Sequence, residues 1–404
     1  MNIQSELKLP CGAILKNRIA KAAMTERLAG ADHLPNAYHE TLYKHWAQQD
    51  AGLLISGNVI VDKKHLESAN NVVVGGDQDK SAFSGWIDSA TSNNTHFWAQ
   101  ISHAGRQANI FSNLNPKSAS DVKLKKLGFF AKPVPMTVSD IEEAIHLFVD
   151  GAAFCKDVGF TGIQFHAAHG YLLSQFLSPR TNKRQDQWGG SIENRSKLLF
   201  EIVEQSRKKL GPDYPVSVKI NSADFQRGGF EEEDAIFVIK GLAERGIDLL
   251  EISGGTYENL VFITEQKKRD STKSREAYFM DFAKKVREVT QTPLMVTGGF
   301  RTKAFMNEVL ENGELDVVGC ARPFLLDEHF PKSFFEDKAE GIPELILHPF
   351  SDKYLDLAEG GYYDRQIESL AKDGQFAQNV SANGSIIRFI TRETINGIRN
   401  RLFT

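Results

Sequence analysis

Short apolar, β-prone runs alternate with longer stretches of helical periodicity along most of the chain. The predicted strands cover residues 18–24, 52–58, 95–102, 161–166, 216–221, 249–254, 293–299 and 316–322. The predicted helices cover residues 37–49, 80–92, 140–157, 191–210, 231–246, 278–290 and 302–312. Eight strands that alternate with helices through right-handed crossovers predict an α/β fold of the (β/α)8 TIM barrel type. An open doubly wound sheet is the weaker interpretation, because no GxGxxG motif follows the first strand.

Capping signals set the bounds of the helix in the segment SDIEEAIHLFVDGAAFCKDVG. Ser139 is predicted to cap it, acidic residues fill its first turn, and Gly159 ends it. Ahead of the barrel, LKLPCGAILKN predicts an N-terminal hairpin that plugs the barrel bottom. We therefore expect one domain over residues 1–404, with a barrel core over about 18–330 and a C-terminal helical extension over about 331–404.

A loop over residues 103–138 is rich in Asn, Ser, Lys and Pro. Loops of this length usually act as lids or are disordered. Its central part, residues 106–137, includes Phe111, Phe129 and Phe130. The role of the loop and the substrate shape that it permits stay open.

The bulk composition excludes several classes of protein. A net charge of −4 and a pI near 6.3 do not favour a nucleic acid or an anionic membrane surface as partner. No run of 18 apolar residues and no signal-peptide pattern is present. Cys11, Cys155 and Cys320 are scattered without a CxxC motif, which argues against a disulfide framework or a cysteine-rich metal site. We expect a cytoplasmic enzyme that acts on a small molecule, and a homo-oligomer remains possible.

Active sites of (β/α)8 barrels lie at the carboxyl ends of the strands. The last two strands end in glycines and a guanidinium, at Gly298, Gly299, Ala321 and Arg322. Each alone fits a turn or a surface ion pair, but together at adjacent strand ends they predict a phosphate site. Lys219 lies in the apolar run VSVKIN, where a charge must be paired or face a ligand.

Two histidines and a tyrosine follow the fourth strand in the segment HAAHGY. A metal site at His166 and His169 would need a third ligand, for which His96 and His103 are available, but no acidic residue stands in a chelating pattern. Two imidazoles can instead hold a substrate oxygen while Tyr171 supplies a proton. From these residues alone, metal binding, oxygen binding and core packing all stay open.

One long segment resembles a known family: IQFHAAHGYLLSQFLSPRTNKRQDQWGGSIENRSKLLFEIV. It is similar to the signature of the old yellow enzyme family of FMN-dependent NAD(P)H:flavin oxidoreductases. The similarity extends through NRIAKAAMTE, AQISHAGRQA, VKINSADFQRGGF, TGGFR and ARPFL, over about residues 5–330. Many relatives have proline in place of Ala23, arginine in place of Lys219 and tyrosine in place of Trp188.

The resemblance implies an FMN at the barrel mouth, no metal, and NADH or NADPH as hydride donor. The implied cofactor-binding residues are Ala23, Met24, Thr25, Gly57, Gln100, Lys219, Gly298, Gly299, Ala321 and Arg322. The implied catalytic and substrate-binding residues are His166, His169 and Tyr171. Ping-pong reduction of an electron-poor alkene is then expected. The alternatives are an FMN-dependent oxidase or demethylase and, more remotely, a metal-dependent hydrolase that uses the two histidines.

Overall fold

Eight parallel strands close into a barrel in the computed structural model, which describes residues 1–110, 113–125, 130–254, 279–351 and 354–403. The strands in chain order are β1 (Leu7–Lys8), β2 (Ile14–Leu15), β3 (Ile19–Lys21), β4 (Leu53–Ile60), β5 (His96–Ser102), β6 (Lys117–Ser118), β7 (Val134–Pro135), β8 (Gly162–Ala167), β9 (Val216–Asn221), β10 (Leu249–Ser253), β11 (Leu294–Thr297) and β12 (Val317–Cys320). Around the barrel they run β3, β4, β5, β8, β9, β10, β11, β12 and back to β3. The predicted (β/α)8 fold is confirmed.

Helices occupy the connections between the barrel strands. They are α1 (Ala37–Gln48), α2 (Ser84–Thr91), α3 (Val138–Val158), α4 (Leu172–Leu177), α5 (Ile192–Leu210), α6 (Glu232–Glu244), α7 (279–287), α8 (Lys303–Glu311), α9 (Lys332–Phe335), α10 (Leu355–Asp373) and α11 (Ala382–Phe403). The predicted start of α7, residue 278, lies outside the described residues. Among the helices that the structure describes, none combines the length and the apolar character that a membrane crossing requires.

The predicted cap of α3 was wrong by two residues. The helix begins after Thr137, whose hydroxyl accepts from the Asp140 N–H while the Asp140 carboxylate accepts from the Thr137 N–H. This reciprocal pair satisfies two backbone donors, whereas a cap at Ser139 would satisfy one. Gly159 ends the helix as predicted, with a φ of 106° that favours glycine.

The N-terminal hairpin closes the bottom of the barrel. β1 and β2 pair antiparallel, and the hairpin residues Leu7, Leu9 and Leu15 are buried. They belong to the same apolar cluster as Leu53 and Leu249, which begin their barrel strands. Burial of each such side chain stabilises the fold by roughly 1.5–3 kcal/mol. The plug predicted from the sequence is present.

The long loop after β5 is anchored to the barrel in its described parts. β6 pairs with β7, and Ser118 Oγ donates to Gln175 Oε1 at 2.8 Å. The Arg106 N–H donates to the same amide oxygen at 3.1 Å. Phe130 forms a bridge to Asn109, while Phe111 and Phe129 lie outside the described residues. The loop therefore holds the segment that carries α4, which begins directly after Tyr171.

Candidate active site

The carboxyl ends of the barrel strands surround a cavity of about 370 Å³. The predicted site residues that line it are Ala23, Met24, Thr25, Gln100, His166, His169, Tyr171, Lys219, Gly298, Ala321 and Arg322. Residues from widely separated segments thus meet because parallel strands of a barrel end on one face. Gly299 lines an adjoining recess.

Gly57 is absent from the residues that line this cavity. Its N–H donates to Glu26 Oε1 at 2.6 Å, and a Cβ at this position would lie 2.0 Å from Glu26 Oε2. Only glycine fits there, because the carboxylate is packed against the backbone. The next residue, Asn58, does line the cavity, and its Oδ1 accepts from Thr25 Oγ1 at 2.9 Å.

The site histidines, His166 and His169, lie side by side with ring centroids 5.1 Å apart. Nδ1 of His166 accepts the Ala168 N–H at 3.4 Å, which places the proton of the neutral ring on Nε2. Nε2 of His169 lies 2.7 Å from Ser253 Oγ. The sequence predicted the pair, but not the serine that contacts it.

Both imidazoles are neutral near pH 7. Burial lowers the pKa of His166 to about 3, and the charge of Lys219 lowers it further in the same direction. The pKa of His169 is also lowered well below its ordinary value, by burial and then by Lys219. Lys219 acts on His166 because the two residues are direct partners across β8 and β9. Neutral rings can donate hydrogen bonds without bringing a positive charge to the substrate.

The backbone of His169 is fixed in an uncommon conformation. Its φ is 59°, in the left-handed region that few residues other than glycine adopt. The N–H donates to Asn221 Oδ1 at 3.2 Å, and the carbonyl accepts from Gln107 Nε2 at 3.2 Å. These two bonds hold the turn that directs the ring into the cavity. A strained backbone conformation of this kind persists only where the surrounding structure holds it in place.

Tyr171 completes the trio at the start of α4. Its ring stands edge-on to His166 at a centroid distance of 4.7 Å, and Ala104 and Ala108 pack against it. The side chain is buried yet lines the cavity. A phenol held beside two neutral imidazoles is positioned to give a proton to a molecule in this cavity.

Lys219 is both paired with an acid and exposed to the cavity, which are the two ways in which a charge in an apolar run can be accommodated. It lines the cavity, and its Nζ lies 2.8 Å from Glu251 Oε1. Glu251 is fully buried and was missed as a site residue. The signal was available, because an acid inside the apolar run LLEISG is as costly as the lysine unless it is paired.

A small recess adjoins the cavity at the ends of β11 and β12. Gly298 and Gly299 have φ values of 113° and 87°, so both take conformations that favour glycine. Arg322 lines this recess, and so does Arg301, which the sequence prediction missed. Turn amides with two guanidiniums are the donor set of a phosphate site. Together with the polar lining of the cavity, they fit FMN.

The C-terminal extension supplies one wall of the cavity, which the sequence did not show. Residues of α10 that line it are Glu359, Gly360, Tyr363, Asp364 and Ile367. Arg27, after β3, lines it as well. A charged cluster, the terminal clasp, joins this wall to the barrel and consists of Arg27, Glu67, Asp364, Arg392 and Glu393.

The terminal clasp is dense in ion pairs. Arg27 lies 3.0 Å from Glu67 and 3.4 Å from Glu393, and Arg392 lies 2.9 Å from Asp364. Burial raises the pKa of Glu393, and the positive charge of Arg27 partly offsets this rise. Guanidiniums are suited to such crowded pairs, since each has five donors in a fixed fork. The clasp therefore fixes α10 and α11 over the barrel mouth.

A second histidine cluster has the composition of a metal site. Asp62, His65 and His103 place their ligand atoms within 4.8 Å of one another, after β4 and β5. However, His65 Nε2 accepts the Lys117 N–H at 2.9 Å, and His103 Nδ1 accepts the Gly105 N–H at 3.0 Å. In the neutral rings the remaining nitrogens are then protonated and face the Asp62 carboxylate. This arrangement is a hydrogen-bonded clamp between two loops.

Comparisons with known proteins identify the family of the chain. Residues 10–339 match the model of the NADH:flavin oxidoreductase / NADH oxidase family. The chain belongs to this family. The NADH-dependent flavin oxidoreductase iliE of Hypocrea jecorina is 34% identical, over 81% of this chain and 87% of that protein. The NADPH dehydrogenase of Bacillus velezensis is 29% identical, over 83% of this chain and 94% of that protein.

Family membership makes the chain a flavin oxidoreductase of the old yellow enzyme type, with FMN and NAD(P)H as cofactors. It decides against the metal-dependent hydrolase. The old yellow enzyme homologue from Zymomonas mobilis shares the fold, with a TM-score of 0.72 and 20% identity over 88% of this chain and 99% of that one. The chain spans only 46% of a further relative, the NADH-dependent flavin oxidoreductase iliE of a Neonectria species.

Proposed function

We propose that this flavin oxidoreductase reduces activated alkenes, such as α,β-unsaturated carbonyl compounds, with NADH or NADPH as hydride donor. Nitro compounds and quinones fall within the same class of electron-poor acceptors. The observation that carries the proposal is the placement of two neutral imidazoles and Tyr171 in the cavity that Lys219 and Arg322 also line. Both half-reactions would share this one cavity, which predicts ping-pong kinetics.

The residues of the chain divide into a cofactor group and a substrate group. Gly298, Gly299, Ala321, Arg301 and Arg322 would hold the phosphate. The ring system would meet Ala23, Met24, Thr25, Gln100 and Lys219, with Gly57 supporting the strand end from behind. FMN held by these residues would supply hydride transfer between NAD(P)H and the second substrate.

The site histidines would hold the carbonyl or nitro oxygen of the acceptor. The His166 Nε2–H donates, and His169 is kept in place through Ser253 and Asn221. Negative charge that develops on the oxygen during hydride arrival at the β-carbon is stabilised by these donors. Tyr171 then gives its proton to the α-carbon, and solvent restores it.

The test is anaerobic reduction of the purified holoenzyme by NADH or NADPH, followed by mixing with a panel of enones, nitroalkenes and quinones. We expect flavin bleaching in the first step and rapid return of the absorbance with at least one acceptor, together with the saturated product. An enzyme that is bleached by NAD(P)H but reoxidised by none of the panel would overturn the proposal.

Oxygen is the competing acceptor, and one relative supports it. The NADH oxidase of Thermoanaerobacter brockii is 31% identical over 82% of this chain and 50% of that protein. Under air, the oxidase alternative predicts stoichiometric hydrogen peroxide and little alkene product. The alkene proposal predicts that an enone suppresses peroxide formation while the rate of NAD(P)H consumption rises.

A further inference from the structure

Five neighbouring barrel strands carry polar side chains that bond to one another below the cavity. This polar belt consists of Gln100, Gln164, Lys219, Glu251 and Thr297. Gln100 is the register partner of Gln164, and Lys219 is the register partner of Glu251. Gln100, Lys219 and Thr297 line the cavity. The belt therefore connects fully buried groups directly to the surface that the cofactor meets.

Glu251 is the hub of the belt, and both of its oxygens accept hydrogen bonds. Oε1 accepts from Lys219 Nζ at 2.8 Å and from Thr297 Oγ1 at 2.7 Å. Oε2 accepts from Gln164 Nε2 at 2.8 Å. A carboxylate can only accept, so these contacts fix the direction of the hydrogen bonds around it.

The direction set at Glu251 passes on to Gln100. Because Gln164 turns its amide nitrogen toward Glu251, its Oε1 is the atom that accepts from Gln100 Nε2, at 2.8 Å. Reversal of the Gln164 amide would place its oxygen against the Glu251 carboxylate and its nitrogen against Gln100 Nε2, and reversal of the Gln100 amide would place two amide oxygens against each other. One carboxylate with an exposed fraction of 0% thus orients three groups of the cavity lining: Lys219, Thr297 and, through Gln164, Gln100.

The charge of Glu251 also opposes that of Lys219. A buried ion pair is close to neutral when seen from a distance, whereas an unpaired ammonium in the same place projects its full field. The lysine alone would favour the reduced flavin strongly, since reduction adds negative charge to the ring system. The pair favours it less.

We propose that Glu251 is a positioning residue that sets both the direction and the strength of the positive field that Lys219 presents to the bound flavin. The inference depends on FMN binding, which the family establishes, and does not depend on the identity of the alkene. Glu251 contacts no substrate and acts through Lys219 and the two glutamines of the belt.

The reduction equilibrium of the bound FMN tests this role. Holoenzyme is reduced slowly under anaerobic conditions in the presence of a reference dye, and the oxidised fractions of flavin and dye are read from their spectra. Glu251→Gln keeps the shape of the side chain and removes the charge. We expect it to shift the equilibrium toward reduced flavin by at least tenfold, or about 30 mV for a two-electron couple.

Three companion variants separate charge from packing. Glu251→Asp keeps the charge, and Thr297→Val removes one hydrogen bond without changing any charge, so each should stay within about threefold of the wild type. Lys219→Met removes the ion-pair partner of the carboxylate and should shift the equilibrium in the opposite direction, toward oxidised flavin. An unchanged equilibrium in Glu251→Gln, or a shift of the same sign in Lys219→Met, would overturn the proposal.

Loss of FMN from Glu251→Gln has a defined interpretation through the double variant Lys219→Met/Glu251→Gln. If the charge imbalance causes the loss, the double variant binds FMN again, and its equilibrium returns toward the wild type. If the double variant also loses FMN, Glu251 is only a packing requirement and the proposal fails.

Discussion

The molecule contains two pairs of neighbouring buried histidines that differ in their hydrogen-bond contacts. The site histidines have ring centroids 5.1 Å apart, and those of the clamp, His65 and His103, are stacked at 4.4 Å. The clamp includes a carboxylate and has the spacing of a metal centre, whereas the site pair faces a cavity. The two pairs differ in what their ring nitrogens contact. In the clamp, both acceptor nitrogens receive backbone N–H groups, and both donors are directed at Asp62.

Proximity of imidazoles is therefore a poor guide to their chemistry. At the site, Nδ1 of His166 accepts the Ala168 N–H, so the neutral ring keeps its proton on Nε2 and can offer it to a ligand in the cavity. In the clamp, both ring donors face the Asp62 carboxylate, and that of His65 is hydrogen-bonded to it at 2.6 Å. A sequence shows which histidines exist but not which atoms of them are engaged.

The largest expected effect is a loss of activity when the site histidines are replaced. His166→Ala/His169→Ala should slow reoxidation of the reduced enzyme by an enone about 10²–10³-fold, because the donors to the developing negative charge are lost. Reduction by NAD(P)H should change much less. Stopped-flow absorbance measures the two half-reactions separately. His96→Ala, at the opposite end of the barrel, is the control and should leave enone turnover unchanged. Wild-type reoxidation by the double variant would contradict the assigned role.

The next effect concerns the stability of the clamp. Asp62→Asn should lower the free energy of unfolding by about 2 kcal/mol, because Oδ1 accepts the Lys64 N–H and Oδ2 faces both imidazoles, so an amide leaves one side opposed by its own N–H. Urea unfolding followed by circular dichroism measures the change. Asp157→Asn is matched, since Asp157 has an ion pair of 2.7 Å with Lys80 but is exposed, and it should cost under about 1 kcal/mol. Equal effects for the two variants would show that Asp62 stabilises the fold no more than an exposed ion pair does.

A further effect involves one histidine of each pair and depends on pH. Burial lowers the pKa of His103 and of His166 to about 3, from 6.5 in the unfolded chain. Between these values the unfolded chain binds more protons, so stability falls as the pH drops from about 6.5 toward 3. Burial alone would raise the pKa of Asp62, but the His65 hydrogen bond and the nearby imidazoles lower it, so its contribution is lost only below pH 4.

Urea unfolding across that pH range measures the slope. His103→Asn and His166→Asn should each remove a similar share of it, because the two pKa values are alike. A flat profile between pH 7 and 5 in the wild type would show that neither ring is buried neutral.

The smallest expected effect is that of zinc on the clamp. Binding would have to break the Lys117 and Gly105 hydrogen bonds, so equimolar zinc should leave the melting temperature and the flavin spectrum unchanged. Differential scanning fluorimetry of protein treated with a chelator, with and without zinc, measures this. Stabilisation by zinc that Asp62→Asn abolishes would show a metal site after all.

Much of the fold and part of the site follow from local patterns. Strand ends are read from short apolar runs, and the barrel brings them together, so His166, Lys219 and Arg322 were placed at one mouth. The interactions that tune these residues come from other strands and depend on register. The pairing of Lys219 with Glu251 requires β9 and β10 to align at that residue, which no local pattern specifies.

The outer wall was missed for a different reason. The periodicity of the extension predicted helices there, but nothing in it showed where α10 would dock. Its position depends on the terminal clasp, whose members are separated by more than 300 residues in places, as Arg27 and Asp364 are. The failed cap at Ser139 has a smaller cause: two adjacent residues compete, and reciprocal bonding with Asp140 favours Thr137.

The placement of α10 gives the cavity an outer wall that lies far along the chain from the barrel strands. The matched family segment ends at residue 339, and the helix that bounds the cavity on its outer side follows it at residues 355–373. Changes in Tyr363 or Ile367 alter what enters without disturbing a barrel strand. The shape of the cavity entrance therefore depends on a terminal helix, whereas the residues that fit FMN belong to the barrel strands and their ends.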